Sequence, residues 1–140
     1  MIVLDTNVIS ELMKDSPNES VADWITKQNP ITLFVSTIVI AEIQRGVLRL
    51  PIGKKRDKLA NNFIRFIENA FNNRILSFDE QAAYIFGDLA SERERAGFNT
   101  DSVDLMIAAI VKSNHATIAT RNTKDFKDCG IAIINPWSGH

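Results

Sequence analysis

Met1-Ile2-Val3-Leu4-Asp5-Thr6-Asn7 is the stretch on which the reading of this chain turns. A short, continuously apolar run of this kind reads as a strand buried on both faces, the pattern of parallel sheets. It ends abruptly in a carboxylate, and open α/β sheets bind their ligands at the carboxyl ends of their strands. No charged n-region followed by an apolar h-region opens the chain, so these residues are read as structure rather than as a targeting peptide.

Working outward, Thr6 to Lys14 carries Val8, Ile9, Leu12 and Met13 at helical spacing until Asp15-Ser16-Pro17-Asn18 breaks the pattern. Glu19 to Gln28 reads as a second short helix around Val21, Trp24 and Ile25, and Ile31 to Ser36 as a second strand. Thr37 to Leu50 is expected to be helical, closed by Pro51-Ile52-Gly53. Lys55 to Asn72 repeats Leu59, Phe63, Ile64, Phe66, Ile67, Ala70 and Phe71 at amphipathic spacing. Arg74 to Phe78 is a third strand, and Asp79 caps a long helix that runs towards Arg95 and stops at Gly97. Asp101 opens an unusually apolar helix, Val103 to Val111. Ala116 to Thr120 and Ile131 to Ile134 are the last strands, separated by one helical turn from Thr123 to Phe126. Strands alternating with helices predict a mainly parallel sheet covered on both faces.

At 140 residues, with 45% hydrophobic and 24% charged content, the chain fits one globular domain over 1–140. No apolar run approaches the ~20 residues needed to span a bilayer. A single cysteine, Cys129, excludes an internal disulfide and a cysteine-rich zinc site and suits a reducing cytoplasm. The net charge of -1 gives no global nucleic-acid footprint, but Lys54, Lys55, Arg56 and Lys58 crowd together. That cluster is the candidate for phosphate contacts, weighed against an ordinary solvated helix start.

Each acid near a strand end has a plain explanation as a cap or a surface pair. Asp5 is a favoured N-cap residue, and Glu42 is spaced to pair with Arg45. Asp101 with Asp104, and Asn122 with Asp125, have capping-box spacing. Taken together they are harder to dismiss, because a doubly wound sheet carries all these positions to one edge. Converging carboxylates raise one another's pKa unless something neutralises them, and Mg²⁺ or Mn²⁺ does so with oxygen ligands and retained waters. Zinc would want His or Cys, and His115 and His140 are not spaced with Cys129 as a set; His115 reads as a helix-end residue near the dipole. Walker, dinucleotide-binding and nucleophile-elbow motifs are absent, leaving metal-assisted attack on a phosphoryl group. A haloacid dehalogenase-like phosphatase would want a second Asp where Asn7 stands, and a receiver domain fits Asp79 but lacks its lysine.

Val3-Leu4-Asp5-Thr6-Asn7, Ser36 to Glu42, Asp104 to Ala109 and Ala119 to Phe126, in that order, resemble the PIN domain. More narrowly they resemble the VapC ribonuclease toxins of bacterial toxin–antitoxin modules, and Gly53-Lys54-Lys55 and Asn135-Pro136-Trp137 are similar to the FitB-like branch. The resemblance implies a three-layer α/β/α sandwich with a mainly parallel sheet. It also implies a Mg²⁺- or Mn²⁺-dependent endoribonuclease acting on structured RNA, tRNA or rRNA. Asp5, Glu42 and Asp104 then form the acidic site, with Thr6 and Thr120 as its hydroxyl residues and Asn7 in support. Asn122 stands where the family often has a fourth acid, and Asp125 or Asp101 is the substitute. A catalytically weakened PIN-like module that binds RNA or a partner is the alternative this departure leaves open. The implied partners are a cognate VapB-like antitoxin, often inserting an arginine over the crevice, and a second copy in a homodimer. A larger assembly with antitoxin on operator DNA follows from the same resemblance, with no membrane association and a cytoplasmic location. Because Trp137-Ser138-Gly139-His140 directly follows the last strand, the inhibitor is expected to be a separate chain.

Overall fold

A computed structural model describes residues 1–138; the reading of Gly139 and His140 lies outside these. Five strands, β1 (Ile2–Leu4), β2 (Leu33–Ser36), β3 (Ile75–Leu76), β4 (Thr117–Ala119) and β5 (Ala132–Ile134), form one sheet. Their order is β3-β2-β1-β4-β5 and every neighbouring pair is parallel. Seven helices flank the sheet: α1 (Thr6–Leu12), α2 (Glu19–Thr26), α3 (Thr37–Leu48), α4 (Lys54–Ala70), α5 (Glu80–Arg95), α6 (Ser102–Ser113) and α7 (Thr123–Phe126). The expected α/β architecture is the one observed.

Successive strand residues point to opposite faces, and Val3 and Leu4 are both fully buried, as are Ile118 and Ala119. Both faces of the central strands are therefore covered, which is why the first run is continuously apolar. α6 earns its unusual composition in the same way, burying Leu105 and Ile107 to Val111. The chain winds from β1 out through β2 to β3, then returns to build β4 and β5 on the other side of β1. Strand order thus reverses between β1 and β4, the place where open α/β sheets bind their ligands beyond the strand ends.

Several boundaries differ from expectation for local reasons. The second strand starts at Leu33, not Ile31, because Asn29 and Pro30 fold Pro30–Thr32 into a 3-10 turn: Asn29 Oδ1 accepts the Ile31 N–H at 3.2 Å. β3 keeps only Ile75–Leu76 of the expected five residues. The Arg74 N–H turns back to Phe71 O at 2.8 Å, and the Asp79 N–H turns back to Ser77 O. Gly97, at φ 81°, ends α5 in a Schellman turn, with the Phe98 N–H on Arg93 O. His115 makes the same turn after α6 at φ 52°, a conformation normally left to Gly or Asn.

Candidate active site

Asp5 stands at the strand-order reversal with its two carboxylate oxygens divided between tasks. Its N–H donates to Ala119 O at 3.0 Å, which keeps the residue in register with β4. Oδ1 accepts the Thr6 N–H at 2.8 Å and so caps α1. Oδ2 accepts the Thr120 hydroxyl at 2.8 Å and the Asn7 amide at 3.3 Å. Capping and site membership are therefore compatible, because each uses a different oxygen. Thr120 is the hub of the arrangement. Fully buried, it also accepts from Asn7 Nδ2 at 3.3 Å and from the Asn122 N–H at 3.0 Å. Asn7 Oδ1 accepts the Arg121 N–H at 3.1 Å. The ends of β1 and β4 are thereby laced together through polar groups. Asn7 serves as an amide donor to Asp5, so it does not fill the acid/base position of the phosphatase reading.

Glu42 reaches this group from α3. Ser36 caps that helix through the Val39 N–H at 3.2 Å, which sets Glu42 in its second turn. Its Oε1 accepts the Thr6 hydroxyl at 2.7 Å. The Glu42–Arg45 alternative does not form; among the described residues the ion pairs are Lys14–Glu11 and Arg56–Asp57.

Asp104 sits half-buried in the first turn of α6. The capping box does not form, since Asp101 accepts the Val103 N–H at 2.8 Å, one residue short of Asp104. The Asp104 carboxyl is pushed up to about 7, first by burial and then by Asp5, Asp125, Asp101 and Glu42. Burial also raises Asp5, against the Thr120 and Thr6 hydrogen bonds that lower it, while Glu42 and Asp125 add to the rise. Charge coupling of this kind marks carboxylates that face one space. Half-buried Asp125 adds to the rise at both Asp5 and Asp104, and exposed Asp101 adds to the rise at Asp104. Asn122 is exposed and its side chain makes no capping bond to α7, so the Asn122–Asp125 box is not formed.

The donor set is carboxylate and hydroxyl oxygen, which suits a hard cation. Among the described residues no three His, Cys, Asp or Glu side chains already stand at the spacing of a metal cage. Mg²⁺ does not require one, since it keeps several waters and takes one or two carboxylates directly; the residues fit it on that basis. Zinc ligation has no support: Cys129 is buried beside Arg93, and His115 stands beyond β4's other end, against Thr117.

The Lys54–Lys58 cluster opens α4. Lys54, Lys55 and Lys58 are exposed, while Arg56 is half-buried and pairs with Asp57 at 3.7 Å. Asp57 in the first turn offsets the unfavourable cations at the helix start. Thr6, Glu42, Gly46 and Leu50 line a cavity of about 300 Å³. Leu50 is shared with a second cavity of about 360 Å³ lined by Lys54, Lys55 and Arg56. The cluster therefore lies along the surface that leads away from Glu42.

Two arginines escaped sequence reasoning. Arg121, one residue past Thr120, lies over the Trp137 ring at 5.3 Å. Arg93 is buried: helix spacing puts it in phase with Ala82 and Leu89, but its place in the charged run Ser91-Glu92-Arg93-Glu94-Arg95 reads as surface.

Against known proteins, the PIN domain family model matches residues 2–131. The chain belongs to the PIN domain family. It is 42% identical to the plasmid stability protein StbB of Pseudomonas syringae pv. tomato, over 98% of this chain and 99% of that one. It is 39% identical to the VapC ribonuclease Y4jK of Sinorhizobium fredii, over 98% of each chain. Among solved structures, the crystal structure of FitAcB from Neisseria gonorrhoeae superposes with a TM-score of 0.90 at 39% identity, covering 98% of this chain and 99% of that chain. VapBC2 from Rickettsia felis, bound to a DNA fragment from the promoter, gives 0.78 at 28% identity over 96% and 98%. The four motif blocks that resemble the PIN domain thus fall in a PIN fold.

Proposed function

We propose that this PIN-domain protein is a ribonuclease toxin, working through Asp5, Glu42, Asp104 and Asp125 with Mg²⁺ or Mn²⁺. The observation that carries the reading is the hydrogen-bonded group at the ends of β1 and β4, in which Thr120 and Thr6 hold Asp5 and the Thr6 hydroxyl holds Glu42. Relatives that include a VapC ribonuclease add to it. When bound, the cation supplies Lewis acidity and positive charge at the phosphodiester.

The chain's own residues have separable parts in this scheme. Asp5, held by Thr120, Thr6 and Asn7, presents a fixed carboxylate. The Thr6 hydroxyl fixes Glu42 in turn. Asp104, with its raised pKa, is the acid whose proton state responds to neutral pH. Lys54, Lys55, Arg56 and Lys58 contact RNA phosphates away from the acids. The substrate is structured RNA, tRNA or rRNA, and cleavage leaves a 5′-phosphate and a 3′-hydroxyl. A separate antitoxin silences the toxin by placing a cation among the acids, which neutralises them as the metal would. The toxin works in the cytoplasm as a homodimer of one-domain chains, joined to operator DNA through the antitoxin; no helix among the described residues is long and apolar enough to cross a membrane.

The test is cleavage of total tRNA and rRNA with Mg²⁺, Mn²⁺ or EDTA, with analysis of the product ends. Cleavage should vanish in EDTA and in Asp5→Asn, and Asp5→Asn should relieve growth arrest in cells expressing the chain alone. EDTA-resistant cleavage or a 2′,3′-cyclic phosphate would overturn the mechanism. RNA binding without cleavage in Mn²⁺ would favour the weakened binding module, a reading that draws on the lack of a preformed three-acid cage.

A further inference from the structure

Arg93 is a buried arginine whose partners are all uncharged. Its Nε donates to Thr100 Oγ1 at 2.6 Å. Its Nη1 donates to Lys127 O at 2.8 Å and lies 3.6 Å from Cys129 Sγ. The guanidinium carbon stacks over the Phe98 ring at 4.8 Å. A buried cation without a carboxylate is costly and persists only where its hydrogen bonds are satisfied. The position of its partners shows what those bonds hold.

Thr100 immediately precedes Asp101, the N-cap of α6, whose first turn carries Asp104. Lys127 is the C-cap of α7, which carries Asp125. One planar guanidinium thus joins the start of the Asp104 helix to the end of the Asp125 helix. Nothing covalent between residues 101 and 126 fixes that spacing at short range, because α6, β4 and the turn to α7 intervene. Both acids act on Asp5, or feel it.

We infer that Arg93 is a positioning residue for the metal-binding acids, setting the separation of Asp104 and Asp125 without touching metal or RNA itself. The inference rests on the metal-dependent nuclease reading above. Arginine suits the task and lysine does not, since only a rigid fork of donors reaches two elements at once. Outer partners that orient metal ligands typically change metal affinity by about 10- to 100-fold when removed.

The experiment compares wild type, Arg93→Lys, Thr100→Val and Leu89→Ala. Leu89 is buried on the same helix, one turn earlier, and takes no part in the bridge; its truncation supplies a control for general loss of stability. Mn²⁺ alone is titrated calorimetrically into each metal-free protein, and RNA cleavage is followed against Mn²⁺ concentration. Arg93→Lys should weaken Mn²⁺ binding by about tenfold or more and shift the cleavage midpoint equally, with the rate recovering at high Mn²⁺. Thr100→Val, which cuts only the α6 arm, should shift both in the same direction by less. Leu89→Ala should lower the melting temperature and leave the Mn²⁺ midpoint in place. Wild-type affinity in both Arg93→Lys and Thr100→Val, or an equal midpoint shift in Leu89→Ala, would overturn the inference while leaving the nuclease reading intact. Failure of the wild-type protein to bind Mn²⁺ would instead overturn the nuclease reading on which it rests.

Discussion

Asp104→Asn should stabilise the metal-free protein, and by an amount that depends on pH. In the fold the Asp104 carboxyl moves from its ordinary 3.8 up to about 7. The folded state therefore holds this proton over a range in which the unfolded state has released it. Stability falls with rising pH wherever the folded state binds more protons. The contribution of Asp104 is thus complete below about pH 4, declines through neutrality, and is lost above about pH 8. Taken at ~1.4 kcal/mol per tenfold in proton affinity, the full displacement corresponds to roughly 4 kcal/mol. Asp104 is half-exposed, so solvent screening reduces this to about 2 kcal/mol. An asparagine keeps the shape and discards the charge. Urea unfolding in EDTA should then show Asp104→Asn more stable than wild type by about 2 kcal/mol at pH 8, with the gap narrowing towards pH 4.5 and closing below about pH 4. Adding Mg²⁺ at pH 8 should stabilise wild type and leave the variant unmoved. Equal stability at pH 8, or a difference that persists unchanged at pH 4.5, would refute the view that Asp104 is a destabilised site carboxylate.

Three further outcomes follow from the geometry. Asp125→Ala should reduce Mg²⁺-dependent cleavage far more than Asp101→Ala or Asn122→Ala, because Asp125 couples to both Asp5 and Asp104; cleavage rates of the three variants decide the ranking. Charge reversal of Lys54, Lys55 and Lys58 should weaken RNA binding and flatten its salt dependence, since fewer counterions are released on association; an unchanged slope in binding titrations returns these exposed residues to ordinary solvated surface. His115→Gly should raise stability by up to about 1 kcal/mol, because the position stands at φ 52° where a side chain is strained; urea midpoints measure this, and cleavage should be unaffected at that end of the sheet.

The acids were legible because each sits where local sequence already places it. A strand that is apolar until Asp5, a helix capped by Ser36 and a helix opened by Asp101 can be read from short patterns. Choosing between Asp125 and Asp101 was not legible, since both have helix-start positions and the choice turns on tertiary packing. The strand that shrank to Leu33–Ser36 shows a local rule overlooked: Asn29 and Pro30 write a turn into a segment whose composition says strand. Thr120 could be named as a site hydroxyl, but its role as the shared partner of Asp5, Asn7 and Asn122 depends on the pairing of β1 with β4.

Arg93 marks the furthest reach of local reasoning. Helix spacing puts Arg93 in phase with buried Ala82 and Leu89, but a run of alternating acids and bases does not say what satisfies a charge there. Its burial is decided by residues 98–100 folding back after the Gly97 turn and by residues 127–129 arriving from the far side of β4. That Gly97 turn is readable, the arrival of the second segment is not, and the arginine has a task only when both are present. The cost of burying its charge falls on the same end of the molecule as the strained proton balance of Asp104. Stability is given up on both counts at the edge proposed here as the site, and a site for a cation and a polyanion must be held open rather than packed shut.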